Sequence, residues 1–510
     1  MQGFRWLRQP SKPWAGADQD YSGPQQKGSQ TRAARGALWL SVSSWGAKGV
    51  QTLSLLVLAR ALAPAQFGIL AIATITYQFM TSLNQLGLSD ALVYMKDQIE
   101  EASRTALSMV LAGGLILMGA TWALAPLVAA FFHIPQATFV LRGFALGLPF
   151  ESAAQVPIGR LTRQLSFPRR TITDLLPSVV GAVVTISLVV TGHPLTGLVA
   201  GQISAAVACV IVANFVGPRC LPGWNTAIAR KLLRYGGYLS AADVINLALL
   251  NVDYITVGRI LGPVALGIYS LAYRLCYMPY LSIAFVANGA AFPYYCRLPS
   301  REGVARAAEN VFFLINTMTI PWFIALVLFA DEIGLLGNKW APAAGAVRFL
   351  AIYALFLSMC LSALQVLKAV GRTNLVFMGR LLHLAMLTTV LILTVRRGIT
   401  VVALDQAVVA AVIALVTGLW VVRYALLRPI ALARSLYLPL LCGLGMVLVV
   451  ILLGRFPALR ATPSWTSLLI LGPLAFSVFS AISLLIMPQP LRKGWAALRG
   501  RSDGMRDVST

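Results

Sequence analysis

Long apolar runs separated by short polar connections fill the chain from residue 36 to residue 488. A helix needs about 20 predominantly apolar residues to cross the hydrocarbon core of a bilayer. Runs of that length recur along the whole sequence, so the pattern predicts fourteen membrane-spanning helices. Their ranges are 36–59, 66–89, 106–130, 139–159, 172–191, 195–217, 236–258, 264–292, 310–330, 344–367, 375–395, 399–422, 435–454 and 465–487.

Composition supports a membrane protein and excludes an ordinary soluble enzyme. Of the 510 residues, 58% are hydrophobic and 11% are charged, whereas soluble domains carry about 25% charged residues. A soluble core could not hide so much apolar surface. Because the connections are short, no separate catalytic domain fits between the spans, and any function has to be built from the helices and their ends.

The formal net charge of +24 is concentrated in alternate connections. With a cytoplasmic N-terminus, 30 of the 41 Lys and Arg residues fall in cytoplasmic segments and 9 in the opposite segments. This bias is typical of the positive-inside rule and predicts that both termini are cytoplasmic. We do not expect nucleic-acid binding, because no basic run is interleaved with aromatic residues outside the apolar segments.

An internal repeat relates two parts of the chain. The segments LARALAPAQFGILAIAT (58–74) and VGRILGPVALGIYSLAY (257–273) match at six positions with an offset of 199 residues. Chance similarity of apolar segments is the alternative, but apolar bias does not explain matched Arg, Pro and Gly. The matched pairs are Arg60/Arg259, Leu62/Leu261, Pro64/Pro263, Gly68/Gly267, Ile69/Ile268 and Ala73/Ala272.

Six spans separate the two copies, so the repeat predicts two parallel six-helix lobes with a substrate site between them, a plan used by transporters. The predicted fold class is an all-α integral membrane protein with about 14 transmembrane helices, two pseudo-symmetric lobes and two C-terminal helices. The predicted divisions are a cytoplasmic tail (1–35), an N-lobe (36–217), a C-lobe (218–430), two further spans (431–488) and a second cytoplasmic tail (489–510).

Polar residues recur at helical spacing in the spans that the repeat relates. Ionisable groups at membrane depth are costly and usually face a cavity or a partner. The polar residues are Ser41, Ser44, Lys48 and Gln51 in the first span, Gln78, Thr81, Ser82, Gln85 and Ser89 in the second, Asp243, Asn246 and Asp253 in the seventh, and Tyr269, Tyr273, Arg274, Tyr277 and Tyr280 in the eighth.

These stripes predict a water-filled cavity between the lobes. Lysine and arginine suit the oxygens of a phosphate or diphosphate, and tyrosine rings suit sugar faces. Three alternatives stay open: ion pairs that only fix helix packing, an interfacial tyrosine belt, and hydrogen bonds between helices. The predicted substrate-binding residues are Lys48, Gln51, Gln85, Asn246, Tyr273 and Arg274, and the candidates for ion coupling are Asp243 and Asp253.

Motifs of common enzymes do not occur. The sequence contains no GxxxxGK[ST], GxSxG or HExxH motif, and its three histidines lie far apart. We therefore predict no catalytic residue, no metal site and no cofactor, apart from coupling to a proton or sodium gradient. Glu151 and Asp405 are isolated in the pattern, and no role is predicted for them.

Several segments resemble the polysaccharide-transporter family, the Wzx-type oligosaccharide-lipid flippases of bacteria. The resemblance extends over about residues 35–400 and begins with LARALAPAQFGILAIATITYQFMTSLNQLGLSDALVYMKD (58–97). Further segments in the style of that family are GRLTRQLSFPRR (159–170), NVDYITVGRILGPVALGIYSLAYRL (251–275), AAFPYYCRL (290–298), LLGNKWAPAA (335–344) and LKAVGRTN (367–374).

The resemblance implies membership of a superfamily that also contains multidrug exporters and lipid II flippases. It implies alternating access by two lobes and a substrate of undecaprenyl-pyrophosphate-linked oligosaccharide repeat units. These units would cross the bacterial inner membrane for exopolysaccharide or lipopolysaccharide assembly. The implied partners are the lipid bilayer, the lipid-linked substrate, a polysaccharide polymerase and a chain-length regulator.

Two other functions compete with the flippase. A multidrug or small-cation exporter of the same superfamily should have an acidic cavity, whereas Lys48 and Arg274 favour an anionic ligand. An integral-membrane polysaccharide polymerase or glycosyltransferase would form new glycosidic bonds, whereas a flippase forms none.

Overall fold

The structure, a computed structural model, describes residues 46, 48–85, 99–164, 166–218, 220–298, 300–425, 427–453 and 464–486. Within these ranges only the backbone is described at 167, 234–246, 464–470 and 484–486. The described residues form helices joined by short turns and contain no strand, which confirms the all-α fold class. Both predicted tails lie outside the described residues.

Seven helices lie in the described residues of the first half. Four of them have proline in the first turn, where a missing backbone N–H costs nothing. The helices are α1 (48–61), α2 (Pro64–Gln85), α3 (Ile99–Phe131), α4 (Ala137–Ala145), α5 (Leu148–Arg163), α6 (Phe167–Val190) and α7 (Pro194–Val216).

The second half begins with a long helix whose first backbone N–H groups are capped by Asn225. Its helices are α8 (Thr226–Ile260), α9 (Gly262–Pro279), a π-helical segment (Tyr280–Phe285), α10 (Val286–Cys296), α11 (Arg301–Leu328), 3₁₀ turns at Ala330–Leu336 and Asn338–Ala343, α12 (Ala344–Ala369), α13 (Thr373–Thr394), a 3₁₀ turn at Val395–Arg397, α14 (Ile399–Ala425), α15 (Pro429–Leu453) and α16 (Ser464–Ile486).

Nine helical stretches among the described residues are long and apolar enough to cross a membrane, so the chain is a multi-pass membrane protein. The predicted count of fourteen is not confirmed. The other five predicted ranges fall on α1, α2, the pair α4 and α5, α8 and α16. Polar residues dilute α2 and α8, and Gly147 and Pro149 divide the predicted span 139–159 into two shorter helices.

The two copies of the repeat pack directly against each other, because α2 lies along α9. A Cβ atom added to Gly68 would lie 2.1 Å from the carbonyl oxygen of Pro263. Reciprocally, a Cβ atom added to Gly267 would lie 1.8 Å from the carbonyl oxygen of Pro64. Since Gly68 matches Gly267 and Pro64 matches Pro263 in the repeat, this contact is reciprocal, as in a two-fold symmetric interface.

The connector that precedes α12 closes over the turn between α1 and α2. Trp340 is fully buried, and its Nε1 donates a hydrogen bond of 2.7 Å to the carbonyl oxygen of Ala59. Lys339 Nζ donates to the carbonyl oxygen of Leu62 at 2.8 Å. The indole also makes an edge contact with the ring of Phe67, with 5.2 Å between ring centroids.

The corresponding connector of the first half, between α3 and α4, closes over the turn between α8 and α9. Arg259 donates to the carbonyl oxygen of Phe131 and lies over the Phe131 ring. The same guanidinium lies 2.8 Å from Nε2 of His133. We call the two turns, their glycine–proline contact and these connectors the clasp (residues 59–68, 131–133, 257–267 and 339–340).

The last two helices attach to the second half from outside. Helix α15 packs on α11, and α16 packs on α15. A Cβ atom added to Gly443 of α15 would lie 2.1 Å from Cδ1 of Ile324, and Asn316 donates a hydrogen bond of 3.0 Å to the carbonyl oxygen of Ser435. These two helices therefore lie at the periphery, away from the clasp.

Because the backbones are so close in the clasp, we expect one added methyl group at Gly68 to lower the stability of the protein. Gly68→Ala should destabilise the protein by about 1–3 kcal/mol, because a backbone carbonyl cannot move aside as a flexible side chain can. Thermal unfolding of the purified protein in detergent measures the effect. Gly119→Ala and Gly289→Ala are matched helical controls, since nothing lies within 4 Å of an added Cβ at either position. Equal melting temperatures for Gly68→Ala and the controls would contradict the close contact.

Candidate functional site

Lys48 joins the two halves of the molecule. Its side chain leaves α1, and Nζ donates a hydrogen bond of 2.9 Å to the carbonyl oxygen of Leu281 in the π-helical segment. One turn further along α1, Thr52 Oγ1 contacts Sδ of Met278 at 2.8 Å. Single-turn π-helical segments are rare and occur frequently at functional sites. The predicted cavity residue Lys48 therefore lies at the contact between the halves.

Six tyrosines form a continuous cluster inside the second half. Neighbouring rings are close: Tyr273 stacks on Tyr277 at 5.2 Å, and Tyr277 contacts Tyr280 at 4.8 Å between centroids. Their rings pack against one another and against α12, which is not the arrangement of a belt at the membrane interface. The tyrosine cluster consists of Tyr254, Tyr269, Tyr273, Tyr277, Tyr280 and Tyr353.

Arg274 is half-buried, and its guanidinium lies next to the hydroxyl group of Tyr254. In the part of the chain that the structure describes, neither Arg274 nor Lys48 has a carboxylate within 4.0 Å. The ion pairs that would give these cations a purely structural role are therefore not formed with Asp253.

Asp253 makes its contacts within the second half. It is 1% exposed, and its Oδ2 accepts hydrogen bonds of 2.7 Å from both Tyr269 and Gln406. No described group donates to its other oxygen, Oδ1. Because Oδ1 has no described partner, it can take up a proton or contact a cation while both hydrogen bonds to Oδ2 stay in place.

The structure gives the other predicted site residues, as far as it describes them, no contact with this site. Gln51 on α1 and Gln85 at the end of α2 are exposed. Asp243 and Asn246 lie on α8, but their side chains are outside the described residues. Lys48 thus contacts the π-helical segment, whereas Tyr273 and Arg274 lie on the preceding helix α9, and the roles of all predicted site residues stay predictions.

Sequence reasoning missed two polar contacts within the halves. Gln406, the partner of Asp253, follows Asp405 in an apolar run, and this pair of polar residues was the available signal. In the first half, Tyr77 donates to Glu151, which was left without a role. Asp405 accepts from Thr394 near the ends of α13 and α14.

No group of three or more His, Cys, Asp or Glu residues in the described ranges is placed to hold a metal ion. The side chains of the candidate site are instead cations, Lys48 and Arg274, and the tyrosine cluster. Ammonium and guanidinium groups bind phosphate oxygens, and tyrosine rings and hydroxyls bind sugars.

Comparison with known proteins identifies the family of the chain. Residues 57–345 match the family described as "Polysaccharide biosynthesis protein". The succinoglycan biosynthesis transport protein ExoT of Rhizobium meliloti (strain 1021) is 24% identical over 462 residues, which are 89% of this chain and 92% of that protein. The lipopolysaccharide biosynthesis protein WzxC of Escherichia coli (strain K12) is 22% identical over 354 residues, 67% of this chain and 71% of its own.

Solved transporters share the fold. The lipid II flippase MurJ in an inward closed conformation superposes with a TM-score of 0.71 at 14% identity, over 87% of this chain and 98% of MurJ. An inward-facing multidrug resistance MATE family transporter of the MOP superfamily gives a TM-score of 0.58 at 13% identity, over 73% of this chain and 93% of that transporter.

Because Gln406 donates to the buried carboxylate of Asp253, we expect it to contribute measurably to the stability of the protein. Gln406→Met should destabilise the protein by about 1–3 kcal/mol, because Asp253 then loses one of its two donors without access to water. Gln78→Met, at an exposed position of α2, is the matched control and should leave stability nearly unchanged. Thermal unfolding in detergent tests both, and equal midpoints for the two variants would refute the role of Gln406.

Proposed function

Because the chain belongs to the polysaccharide biosynthesis protein family, we propose that it moves undecaprenyl-diphosphate-linked oligosaccharide repeat units across the inner membrane by alternating access. The direction is from the cytoplasmic to the periplasmic leaflet, and the product serves exopolysaccharide or lipopolysaccharide assembly. A transport relative that matches 89% of the chain supports a flippase rather than an enzyme.

The observation that carries this proposal is the cationic contact between the halves. Lys48 belongs to the first half, yet its ammonium is held by the π-helical segment of the second half, 2.9 Å from the Leu281 carbonyl oxygen. Arg274 and three members of the tyrosine cluster lie on α9, the helix that leads into that segment. A diphosphate presents several acceptor oxygens to such groups, and the attached sugars can lie against tyrosine rings.

Alternating access follows from the repeat. The clasp ties the halves together at one end, and the charge distribution of the connections supports a periplasmic position for that end. With the clasp closed, the site communicates only with the cytoplasmic side. Rocking of one half against the other would open the clasp and expose the site to the periplasm.

The same reasoning gives the remaining assignments. Both termini are cytoplasmic, and energy comes from a proton or sodium gradient through Asp243 or Asp253. A polysaccharide polymerase and a chain-length regulator would receive the flipped units. An undecaprenyl chain is too long for a cavity of side chains and would stay in lipid.

Flipping by the reconstituted protein tests the proposal. In proteoliposomes that contain a fluorescent lipid-linked diphosphate oligosaccharide, the protein should move label between leaflets and form no glycosidic bond. Lys48→Ala and Arg274→Ala should each slow flipping about tenfold or more, because each loses a charge-assisted hydrogen bond to phosphate. Arg434→Ala, at an exposed site on peripheral α15, is the control. Normal flipping by both cavity variants, or extrusion of cationic dyes instead, would exclude the proposed substrate site.

A second experiment addresses the energy source. Asp243→Asn and Asp253→Asn should abolish the acceleration of flipping by an imposed proton or sodium gradient while slow exchange without a gradient persists. Asp331→Asn, at a surface carboxylate paired with Arg348, is the control. Unfolding midpoints separate lost coupling from lost folding, and gradient-driven flipping that persists in a folded double variant would rule out both carboxylates.

A further inference from the structure

A groove opens on the surface of the first half, between α3 and α4. Its volume is about 540 Å³, which lies in the range of sites that bind small molecules. One of its lining residues is an arginine, and the others are apolar or aromatic or have no side chain. The lining residues are Arg142, Met118, Gly119, Trp122, Ala123 and Leu146. A single cation therefore lies in an otherwise apolar groove.

Arg142 is held in place by Trp122 of α3. Its Nε donates a hydrogen bond of 3.3 Å to the carbonyl oxygen of Trp122, and Trp122 Nε1 donates one of 3.1 Å to the carbonyl oxygen of Arg142. The guanidinium also lies over the indole, 5.0 Å from its centroid. No described group accepts from Nη1 or Nη2 of Arg142, and no described carboxylate lies within 4.0 Å of it. These two nitrogens can therefore donate to an anion that enters the groove.

The second half contains a matched arginine whose charge the protein itself neutralises. Helix α12 follows the connector of the second half as α4 follows that of the first, and an offset of 206 residues aligns Arg142 with Arg348. Arg348 donates to Asp331 at 2.5 Å. Where Arg348 has a carboxylate, Arg142 has the groove. The same offset also pairs buried residues of the two helices, namely Val140/Ala346, Leu141/Val347, Phe144/Leu350 and Ala145/Ala351.

The walls of the groove present large apolar side chains outwards. Helix α3 is one of the stretches that are long and apolar enough to cross a membrane. On this helix Leu115 and Trp122 lie seven residues apart on one face and are 55% and 46% exposed. On the other wall Phe139 and Leu146, both exposed, lie at helical spacing on either side of Arg142. An exposed apolar surface around one guanidinium matches the acyl chains and the phosphate of a membrane lipid.

The chain also indicates at which end of the molecule the groove lies. Helix α4 begins just after the clasp connector, and Arg142 is its sixth residue, about 8 Å along the helix axis. Trp122 precedes the last residue of α3 by nine positions. The groove is therefore near the clasp end of both helices. Tryptophan and arginine are typical of the region in which spanning helices meet lipid head groups.

We propose that this groove binds one glycerophospholipid of the surrounding membrane. The phosphate accepts hydrogen bonds from Nη1 and Nη2 of Arg142, and an acyl chain lies against Met118 and Leu146. A guanidinium fork matches two oxygens of a phosphate, and the indole of Trp122 keeps the fork oriented. The phosphate thus has the role that the Asp331 carboxylate has for Arg348. This lipid site is separate from the site of the lipid-linked substrate and does not depend on the proposed function.

Native mass spectrometry of the full-length protein tests the site, with phosphatidylglycerol as the probe. The wild type should bind one lipid molecule more tightly than any further one. Arg142→Gln should weaken this binding about tenfold or more, because two charge-assisted hydrogen bonds are lost, and Arg142→Lys should restore part of it. Arg348→Gln is the matched control, because it removes the same charge at the equivalent position and should leave the affinity unchanged.

Gly119→Leu tests the groove without a change of charge. Nothing lies within 4 Å of a Cβ atom added to Gly119, so the helix should accept the side chain, which then occupies the space of the acyl chain. Loss of contact with two or more methylene groups should weaken phosphatidylglycerol binding about tenfold. Gly289→Leu is the control at a second open position. Thermal unfolding midpoints establish that each variant is folded.

Several results would overturn the lipid site. Wild-type affinity in folded Arg142→Gln or Gly119→Leu would do so, and so would equal weakening by Arg348→Gln, because binding would then follow net charge alone. Diacylglycerol that binds as tightly as phosphatidylglycerol would leave no role for the phosphate. Inorganic phosphate that competes at equal concentration would indicate a site for the free anion. A lipid-free dimer that Arg142→Gln abolishes would assign this surface to a second copy of the chain.

Discussion

The close backbone contact between the two repeat copies is the constraint on which the rest of the molecule depends. The halves can meet at Gly68 and Gly267 only because neither residue has a Cβ atom, and each glycine lies against the carbonyl group of the other half's matched proline. This contact aligns α2 with α9 and brings each connector over the opposite turn. Through α1, it also brings Lys48 to the π-helical segment.

The charged side chains of the helices fall into two kinds, which differ in whether other protein groups balance their charge. Asp253 is buried, and its Oδ2 accepts two hydrogen bonds from its own half. This oxygen therefore needs no ligand to be satisfied. Lys48 and Arg274 are half-buried, and no described carboxylate pairs with either of them. Since uncompensated charge at membrane depth is costly, the second kind is the better indicator of a ligand site.

The sequence was sufficient for features set by local chemistry. Apolar runs predicted the helices, and the matched Arg, Pro and Gly of the repeat predicted the segments that form the clasp. It was insufficient where distant residues meet: Gln406 and Asp253 are separated by 153 residues, and only tertiary packing brings them together. The division of the predicted span 139–159 at Gly147 and Pro149 was missed because the segment as a whole has the length of one spanning helix.

The distribution of contacts gives a physical route from substrate binding to movement of the halves. The clasp combines close backbone contacts and a few hydrogen bonds with the buried packing of Trp340 on Phe67, so its separation requires these side chains to repack. Lys48 of the first half and Arg274 of the second half are cations, and like charges repel each other. A diphosphate bound between them removes this repulsion and favours their approach, and a ligand can shift a conformational equilibrium only through such a difference in affinity. Closure around the anion would then be the step that draws the clasp apart.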